Sequence, residues 1–468
     1  MEKNILQGKK HIHFIGIGGS GMYPLAQILH ANGYHLTGSD NNETETLDAV
    51  RKMGIKVFMG QKAENIEGAD LIVYSAAIMA DNEELVAAKQ SGADVLERSE
   101  LLGYVTSCFE NAVCVSGTHG KTTTTSMITQ IFMTANVDIS AVIGGKLPCI
   151  NGSGRAGNSD IMICEACEFV DTFLKLYPDI AVVLNVDADH LDYFGTLENI
   201  KKSFVKFCNM ATKAVVYNGD DANTLDVVNE IKNRDMVSFG LNESNDYYAK
   251  NIRKIGALQT VFDVYEKGEK LSEITLNVAG KHNVLNALAA IASARYLNCD
   301  IESIAKGIEE FRGAKRRFEL IGIKNGITVV DDYAHHPAEL EVTLNAAMEM
   351  GYKNVWAVFQ PFTFSRTHLL LDDFAKALSI ADKVVLTDIM GSREKNTYNI
   401  YTHDLGRKIE NAIWFEDNDG HIPSDAEKTA NFEKVCKHLA DNVQYGDLVI
   451  TLGCGDCYKA AKMLLEMI

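Results

Sequence analysis

The sequence predicts an α/β protein with three domains, and three observations support this prediction. The chain has 468 residues, enough for about three domains of roughly 100–200 residues each. In the first hundred residues, short apolar runs alternate with helix-like stretches, as parallel strands joined by helices do. The same alternation begins again at Ala112 and at Ile327. We therefore expect domains at 1–108, 109–313 and 314–468, the first and third Rossmann-like and the central one a parallel sheet with a phosphate-binding loop.

Composition and the N-terminal segment argue against several classes of partner. The formal net charge is −18 and no stripe of lysine and arginine stands out, so no nucleic-acid partner is expected. The segment MEKNILQGKK lacks the apolar core of a signal peptide, and no apolar run approaches the roughly 18 residues of a membrane span. We expect a cytoplasmic protein with no membrane partner, in which the ten cysteines are reduced.

Two Cys-x-x-Cys pairs, Cys164/Cys167 and Cys454/Cys457, could together hold zinc, or could act as redox dithiols. The pairs are far apart in the sequence, and no histidine cluster flanks them. We favour the interpretation that they are small buried residues beside a strand end and a glycine-rich turn.

The first domain contains a glycine-rich loop between a predicted strand and a predicted helix. Its predicted strands are HIHFI, YHLTGSD, IKVFMG, DLIVYSAA and DVLE. The loop has the G-x-G-x-x-G pattern, whose backbone can approach a pyrophosphate closely, and Asp40 follows at the distance expected of a ribose-binding acid. The predicted nucleotide-binding residues here are Gly16, Gly18, Gly19, Ser20, Gly21 and Asp40. The loop alone would fit a nicotinamide dehydrogenase.

A second glycine-rich loop, Gly117-Thr118-His119-Gly120-Lys121-Thr122-Thr123, follows the predicted strand Ala112–Val115. Backbone N–H groups of such a turn bind phosphate oxygens, Lys121 would reach the β- and γ-phosphates, and the Thr122 hydroxyl would bind Mg²⁺. The loop is a variant of the G-x-x-x-x-G-K-[ST] pattern, because Val115 stands where the first glycine is expected. A triphosphate site is therefore predicted, which a dehydrogenase does not need.

Further polar residues follow the other predicted strands of the central domain. These strands are IMICEA, DIAVVLNV and KAVVYNG, and residues 235–278 look more antiparallel, with VSFG, LQTVFDVYE and EITLNVAG. Ligands of parallel sheets bind at the carboxyl ends of strands, so Glu165 and His190 could meet Thr122 on a divalent metal ion. Asn283 and Asn286 open the helix HNVLNALAAIASARYL, where they could cap the helix or bind the adenine.

The third domain has its own concentration of polar residues. Its predicted strands are ITVVDD, VWAVFQ, KVVLTDI and DLVITLG, and the basic segment FRGAKRRFEL marks the boundary before it. The segment DDYAHHP, which includes Tyr333 and His335, has more acids and histidines than a turn requires. Arg366 is a candidate to bind a carboxylate through two parallel hydrogen bonds.

Taken together, these motifs resemble those of the peptidoglycan Mur ligases. The matching segments, in the same order over nearly the whole chain, are GIGGSGM, SGTHGKTTTT, DADHLDYFG, GKHNVLNALAA, RRFE, DDYAHHP and GCGD. The resemblance implies that the first domain binds the UDP of UDP-N-acetylmuramate, not a nicotinamide. It also implies an ATP-dependent ligase of peptidoglycan precursor synthesis that joins L-alanine to the lactoyl carboxylate through an acyl phosphate, with Mg²⁺ or alternatively Mn²⁺.

The resemblance also implies roles for single residues. Lys121 and Thr122 would act on phosphate and metal, and Glu165 and His190 would face the metal. Asn283 and Asn286 would bind the adenine. Tyr333, His335 and Arg366 would lie where the amino acid and the reacting carboxylate are handled, so the predicted catalytic residues are Lys121, His190, His335 and Arg366. The expected partners are UDP-N-acetylmuramate and L-alanine, and we expect a monomer or a homodimer.

The chain departs from the family pattern in two segments. Where the family usually has Glu-Ala-Asp-Glu-Ser-Asp, this chain has Glu165-Ala166-Cys167-Glu168-Phe169-Val170. Where the family has His-Arg-Tyr, this chain has Phe362-Thr363-Phe364, so one expected arginine is missing. This second departure bears on the choice of amino acid more than on the reaction. Apolar surroundings would strengthen the ion pair of a substrate carboxylate with Arg366, and we expect L-alanine to be preferred over glycine and L-serine.

Three other functions each fit part of the sequence. A related ligase joins a whole tripeptide to the same UDP-sugar during wall recycling, but DDYAHHP and DADHLDYFG favour the ligase for L-alanine. A nicotinamide-dependent dehydrogenase would leave the Gly117–Thr123 loop unexplained. A nucleotide-dependent switch would leave the acids at the strand ends of three α/β units unexplained.

Overall fold

A computed structural model describes residues 5–255, 259–278, 280–392, 394–417 and 424–468. The protein is an α/β protein of three domains, as predicted, and each domain has a largely parallel sheet. The first two domains belong to one compact unit, Met1–Ala314, and the third forms another, Lys315–Ile468. The domain limits predicted above stay predictions. Among the described residues, no helix combines the length and the apolar character needed to cross a membrane.

The first domain alternates strands and helices as the sequence predicts. Its strands are β1 (His11–Ile15), β2 (His35–Asp40), β3 (Lys56–Met59), β4 (Leu71–Tyr74) and β5 (Asp94–Glu97). Its helices are α1 (Tyr23–Ala31), α2 (Glu45–Lys52), α3 (Glu83–Gln90) and α4 (Arg98–Thr106), with a short 3₁₀ helix at Ala63–Ile66. The strands are parallel in the order β3-β2-β1-β4-β5, which places the loop after β1 where the strand order reverses, the usual position for a ligand.

The central domain is built on a long sheet. Its strands are β6 (Asn111–Ser116), β7 (Ser140–Leu147), β8 (Gly152–Arg155), β9 (Ile161–Glu165), β10 (Ile180–Val183), β11 (Ala214–Asn218), β12 (Asp235–Gly240), β13 (Tyr247–Lys254), β14 (Thr260–Glu266) and β15 (Glu269–Leu276). Its helices are α5 (Lys121–Thr134), α6 (Leu191–Phe194), α7 (Leu197–Met210), α8 (Ala222–Val228), α9 (Lys281–Tyr296) and α10 (Ile301–Glu310), with 3₁₀ segments at Pro148–Ile150 and Phe169–Lys175. The strands β6, β9, β10 and β11 consist mostly of the apolar residues Val, Ile, Ala, Met and Cys, because these parallel strands are covered on both faces.

The edge of this sheet corrects one expectation. The segment VSFG was expected to be antiparallel, but β12 pairs in parallel with both β11 and β13. Among the described residues of this region, the antiparallel pairs are the hairpin pairs β13–β14 and β14–β15. The direction of a strand depends on how the chain returns to the sheet, which a short apolar run does not encode.

The third domain forms the second compact unit. Its strands are β16 (Glu319–Lys324), β17 (Ile327–Asp332), β18 (Val355–Phe359), β19 (Lys383–Leu386), β20 (Ile413–Trp414) and β21 (Leu448–Leu452). Its helices are α11 (Pro337–Met348), α12 (Phe364–Leu369), α13 (Leu371–Leu378), α14 (Thr402–Gly406), α15 (Asp425–Asn442) and α16 (Tyr458–Met467). The sheet order is β16-β17-β21-β18-β19-β20, and β16 is antiparallel to β17 while the other pairs are parallel. The loops after β17, β18 and β21 therefore leave from the same edge.

Candidate active site

The glycine loop after β1 is held in place by the end of β2. Gly16 has a φ of +84°, in the left-handed region that favours glycine, and its N–H donates to the carbonyl of Ser39 at 2.8 Å. The Gly18 N–H donates to Asp40 Oδ2 at 3.0 Å, and the other oxygen of Asp40 accepts from Asn41 N–H at 2.8 Å. Asp40 thus fixes the shape of the loop, and its predicted contact with a ribose stays a prediction.

A cavity of about 450 Å³ lies beside this loop. The first domain contributes Gly19–Gly21 and Arg98 to its lining, and the central domain contributes Gly144, Glu165 and Cys167. The predicted sugar-nucleotide loop and the predicted metal-facing Glu165 therefore lie on one cavity. A substrate that spans it could place one end on the glycine loop and the other near Glu165.

The loop after β6 has the shape of a phosphate cradle. Gly117 and Gly120 have φ values of +138° and +86°. A Cβ on Gly117 would approach Leu184 Cβ to 2.9 Å, and a Cβ on Gly120 would approach Asn286 Oδ1 to 2.5 Å, so both positions require glycine. Helix α5 begins at Lys121, and no side chain caps it. Its first N–H groups and its dipole suit an anion, and these residues therefore fit a triphosphate.

The end of β10 braces this loop. The Asn185 side chain accepts from His119 N–H at 2.8 Å and donates to the His119 carbonyl at 3.1 Å. The hydroxyl of Thr118 accepts from the backbone N–H of Asp187 at 2.8 Å. The loop is therefore held in a defined conformation by the neighbouring strand.

The two asparagines of α9 lie beside the same loop. Asn286 Nδ2 donates to Asn283 Oδ1 at 2.9 Å, and both residues are buried. Since Asn286 lies against Gly120, the N-terminal turn of α9 is next to the phosphate loop. This position suits the predicted adenine contact, which stays a prediction.

The predicted metal residues are placed at the ends of neighbouring elements. Thr122 is buried in the first turn of α5, and Glu165 at the end of β9 accepts from Gly144 N–H at 2.5 Å. His190 has a φ of +52°, and its ring centroid is 4.7 Å from that of Phe169. In the part of the chain that the structure describes, no group of three or more His, Cys, Asp or Glu side chains could hold a metal ion. Mg²⁺ is commonly bound by only one or two protein carboxylates together with phosphate oxygens and water. The residues Thr122, Glu165 and His190, which include one carboxylate, are compatible with such a site.

Lys121 makes contacts that the sequence did not predict. Its Nζ lies 2.9 and 3.1 Å from the two carboxylate oxygens of Glu168, and it donates to the carbonyls of Gly117 and Thr118 at 2.5 and 3.1 Å. Burial would lower the pKa of Lys121, but the negative charge of Glu168 raises it above its ordinary value. The lysine is therefore held as a cation at the phosphate loop.

In the third domain, Arg316 joins the end of β17 to the loop after β21. Its Nε donates to Asp331 Oδ2 at 2.9 Å, and its Nη atoms donate to the carbonyls of Gly453 and Gly455 at 2.5 and 2.9 Å. The guanidinium carbon is 5.1 Å from the ring centroid of Tyr333, within the range of a cation–π contact. Arg316 thus supports Tyr333.

The DDYAHHP segment forms a fixed turn before α11. The carboxylate of Asp332 accepts from Phe318 N–H at 2.7 Å and from Ala334 N–H at 2.8 Å. His335 Nδ1 is 3.2 Å from Glu339 Oε2. Burial would raise the pKa of Glu339, but the hydrogen bonds and charge of His335 outweigh it and lower the pKa to about 2. The Tyr333 carbonyl, 3.0 Å from His335 Nδ1, and the Glu339 carboxylate together orient the ring of His335.

Arg366 has an unused donor. Its Nη1 is buried and has no hydrogen-bond partner among the described residues, and the residue lies in α12. The Thr363 hydroxyl accepts from Arg366 N–H at 3.4 Å as the N-cap of that helix. A buried guanidinium N–H without a partner is costly, so Arg366 suits an incoming carboxylate.

The expectation that all four cysteines of the two pairs are buried is wrong for two of them, because Cys164 and Cys457 are buried whereas Cys167 is exposed and Cys454 is partly exposed. Cys164 Sγ lies 3.5 Å from the Sγ of Cys114 on the neighbouring strand, and both are buried, whereas Cys167 is exposed in the cavity. Burial raises the pKa of Cys454 to about 12, so this thiol is not activated.

Sequence reasoning missed three residues that shape the site, namely Glu168, Asn185 and Arg316. Each lies in a segment described in the sequence analysis. Glu168 lies in the altered acidic segment, Asn185 in the strand DIAVVLNV that precedes DADH, and Arg316 in RRFE. No local pattern shows that their side chains bind the phosphate loop or the end of β17, because the partners are distant in the sequence.

Three family models match successive parts of the chain. The first, described as the Mur ligase family catalytic domain, matches residues 11–109. The Mur ligase middle domain matches residues 115–294, and the Mur ligase glutamate ligase domain matches residues 316–455. The chain belongs to the Mur ligase family. The sequence-based assignment to this family is confirmed. Because Mur ligases are ATP-dependent, this protein is an ATP-dependent ligase.

Similar proteins of full length carry a more specific description. The UDP-N-acetylmuramate–L-alanine ligase of Acetivibrio thermocellus is 45% identical over 461 residues, which cover 98% of this chain and 96% of that protein. The ligase of the same name from Clostridium novyi is 43% identical over 470 residues, covering all of both chains.

Solved structures agree on the architecture. The UDP-N-acetylmuramate–alanine ligase of Thermotoga maritima matches with a TM-score of 0.79 at 28% identity, over 98% of each chain. A murein peptide ligase from Psychrobacter arcticus matches with a TM-score of 0.71 at 23% identity, again over 98% of each chain. At this lower identity, the second match shows only that the two proteins share a fold.

Proposed function

We propose that this Mur ligase joins L-alanine to the lactoyl carboxylate of UDP-N-acetylmuramate, with conversion of ATP to ADP and phosphate. One observation carries the proposal from the geometry. A single cavity is lined by the glycine loop of the first domain and by Glu165 at the strand edge of the ATP-binding domain. The full-length similarity to ligases of this name supports the choice of both substrates. The proposal places the enzyme in the cytoplasm, in peptidoglycan precursor synthesis.

The proposed reaction begins with activation of the carboxylate. A carboxylate oxygen attacks the γ-phosphorus of ATP, ADP leaves, and an acyl phosphate forms. Negative charge builds on the phosphate oxygens during this step, and the Lys121 cation with the N–H groups at the start of α5 would stabilise it. Mg²⁺, when bound, would neutralise charge on the same oxygens, and Thr122, Glu165 and His190 are the residues proposed to hold it.

The second step forms the amide bond. The amine nitrogen of the amino acid attacks the carbonyl carbon of the acyl phosphate, and phosphate leaves with the former carboxylate oxygen. Arg366 is proposed to hold the α-carboxylate of the amino acid, because its buried Nη1 lacks a partner. His335, whose ring contacts Glu339, is proposed to be a catalytic residue of this step.

The recycling ligase for a whole tripeptide is the nearest alternative. It shares the fold, and the murein peptide ligase described above is 23% identical to this chain, compared with 28% for the L-alanine ligase of Thermotoga maritima and 43–45% for those of Clostridium novyi and Acetivibrio thermocellus. The higher identity over full length favours L-alanine.

Release of ADP from purified protein tests the proposal. With UDP-N-acetylmuramate, ATP and Mg²⁺, we expect L-alanine to give the highest kcat/KM. The values for glycine and L-serine should be at least about 10-fold lower, since an apolar pocket distinguishes substrates that differ by one small group by about 10-fold or more in kcat/KM. NADH should neither bind nor replace ATP. A preference for the tripeptide over L-alanine would assign the recycling reaction instead, and no ADP with any amine would exclude the ligase.

A further inference from the structure

Lys121 has no donor left for a phosphate in this conformation. An ammonium group has three N–H donors. Here the carbonyls of Gly117 and Thr118 and the carboxylate of Glu168 together occupy them, at distances of 2.5 to 3.1 Å. The lysine is thus folded back on its own loop. It must give up at least one partner before it can reach a β- or γ-phosphate.

Glu168 is the partner that Lys121 would give up, because its carboxylate is buried against the lysine. Its side chain is 3% exposed, and that of Lys121 is 16% exposed. The neighbours Phe169 and Val170 are instead exposed at 42% and 46%, an inverted pattern in which the charged residue is inside and the apolar ones are outside. A buried carboxylate needs a cation, and Lys121 is the cation it contacts.

The backbone after Glu168 is turned to keep this arrangement. Val170 and Asp171 have φ values of +53° and +57°, in the left-handed region that a β-branched residue rarely adopts. Asp171 is tied down by Tyr193, whose hydroxyl donates to it at 2.9 Å. Such strain persists where the surroundings over-determine it, and it is concentrated at functional sites. The same turn places Phe169 against His190, one of the residues proposed to face the metal.

We propose that Glu168 is a positioning residue that holds Lys121 away from the phosphate position until nucleotide binds. On binding, the Lys121 ammonium exchanges the Glu168 carboxylate for a phosphate oxygen. The exchange lowers the affinity for nucleotide, because a buried ion pair must be separated. This inference rests on the proposed function of the Gly117–Thr123 loop as the ATP site.

Titration calorimetry of ATP with EDTA present tests the exchange without the metal and without turnover. Glu168→Gln removes the charge but keeps the shape, and we expect its Kd for ATP to be about 5-fold lower than that of the natural protein. Glu168→Asp should also lower the Kd for ATP, by a smaller factor. This second variant replaces Glu168→Gln in the test if Glu168→Gln does not fold. An unchanged or higher Kd in these variants would overturn the inference.

A second background separates ion-pair exchange from plain repulsion between Glu168 and ATP. In a protein that already carries Lys121→Ala, Glu168→Gln should leave the Kd for ATP within about 1.5-fold, because no ion pair remains to be exchanged. Equal tightening in both backgrounds would show repulsion alone and contradict the positioning role. If the natural protein does not bind ATP, the proposed function fails. If Lys121→Ala weakens ATP binding while Glu168→Gln changes nothing, only the present inference fails.

Discussion

Replacing Lys121 with alanine is expected to lower ADP formation by about 100-fold or more, since losing one preorganised donor to a transition-state charge has an effect of this size. The ammonium is held at the phosphate loop and carries a raised pKa, so it is a full cation at neutral pH. Steady-state ADP release with UDP-N-acetylmuramate and L-alanine measures the effect. Near-normal turnover would remove this loop from the chemistry.

The control must separate lost catalysis from lost stability, because Lys121→Ala leaves the buried Glu168 carboxylate without its cation. Lys201 is a matched lysine, 14% exposed and paired with Asp226 at 2.8 Å on the surface of α7. Lys201→Ala should keep normal turnover. The double variant Lys121→Ala/Glu168→Gln should recover thermal stability but remain inactive.

Replacing Arg366 with lysine is expected to raise the KM for L-alanine by about 10- to 100-fold, with a change of less than about 2-fold in the KM for ATP. The guanidinium offers a buried, unpartnered Nη1 that can bind a carboxylate with two parallel bonds, whereas a lysine presents a point charge. Initial rates at varied L-alanine and at varied ATP separate the two constants. Arg407→Lys, at an exposed position after α14, should change neither. An unchanged KM for L-alanine in Arg366→Lys would place the amino-acid carboxylate elsewhere.

The parallel cores of the domains could be predicted because burial on both faces leaves a local signature. The runs HIHFI, ITVVDD and DLVITLG became β1, β17 and β21 within a residue or two at each end. Edges were harder, since their strands are only partly buried. The segment FRGAKRRFEL reads as a basic turn, yet β16 begins at Glu319 because it pairs with β17, and three of the six residues of β16 are exposed. The segment that forms β13 was missed for the same reason, because four of its last five residues are exposed.

The site was predictable where a motif fixes backbone geometry. The need for glycine at Gly117 and Gly120 follows from the loop pattern, and the structure gives both a positive φ. Side-chain partners were not predictable. Glu168 lies 47 residues from Lys121 in the sequence, and whether a carboxylate points into the phosphate loop depends on the strained turn that follows it. The role of Asp40 as a brace for Gly18 likewise depends on the pairing of β1 with β2.

The origin of the oxygen in the released phosphate tests the proposed chemistry most directly. UDP-N-acetylmuramate labelled with ¹⁸O in both oxygens of its lactoyl carboxylate is incubated with the enzyme, ATP and L-alanine, and the inorganic phosphate is analysed by mass spectrometry. If the carboxylate attacks the γ-phosphorus and the amine then displaces phosphate from the carbonyl carbon, one ¹⁸O passes into each phosphate and one stays in the amide. Phosphate that carries no ¹⁸O, formed together with the L-alanine amide, would contradict an acyl phosphate and with it the roles assigned to Lys121 and the Gly117–Thr123 loop.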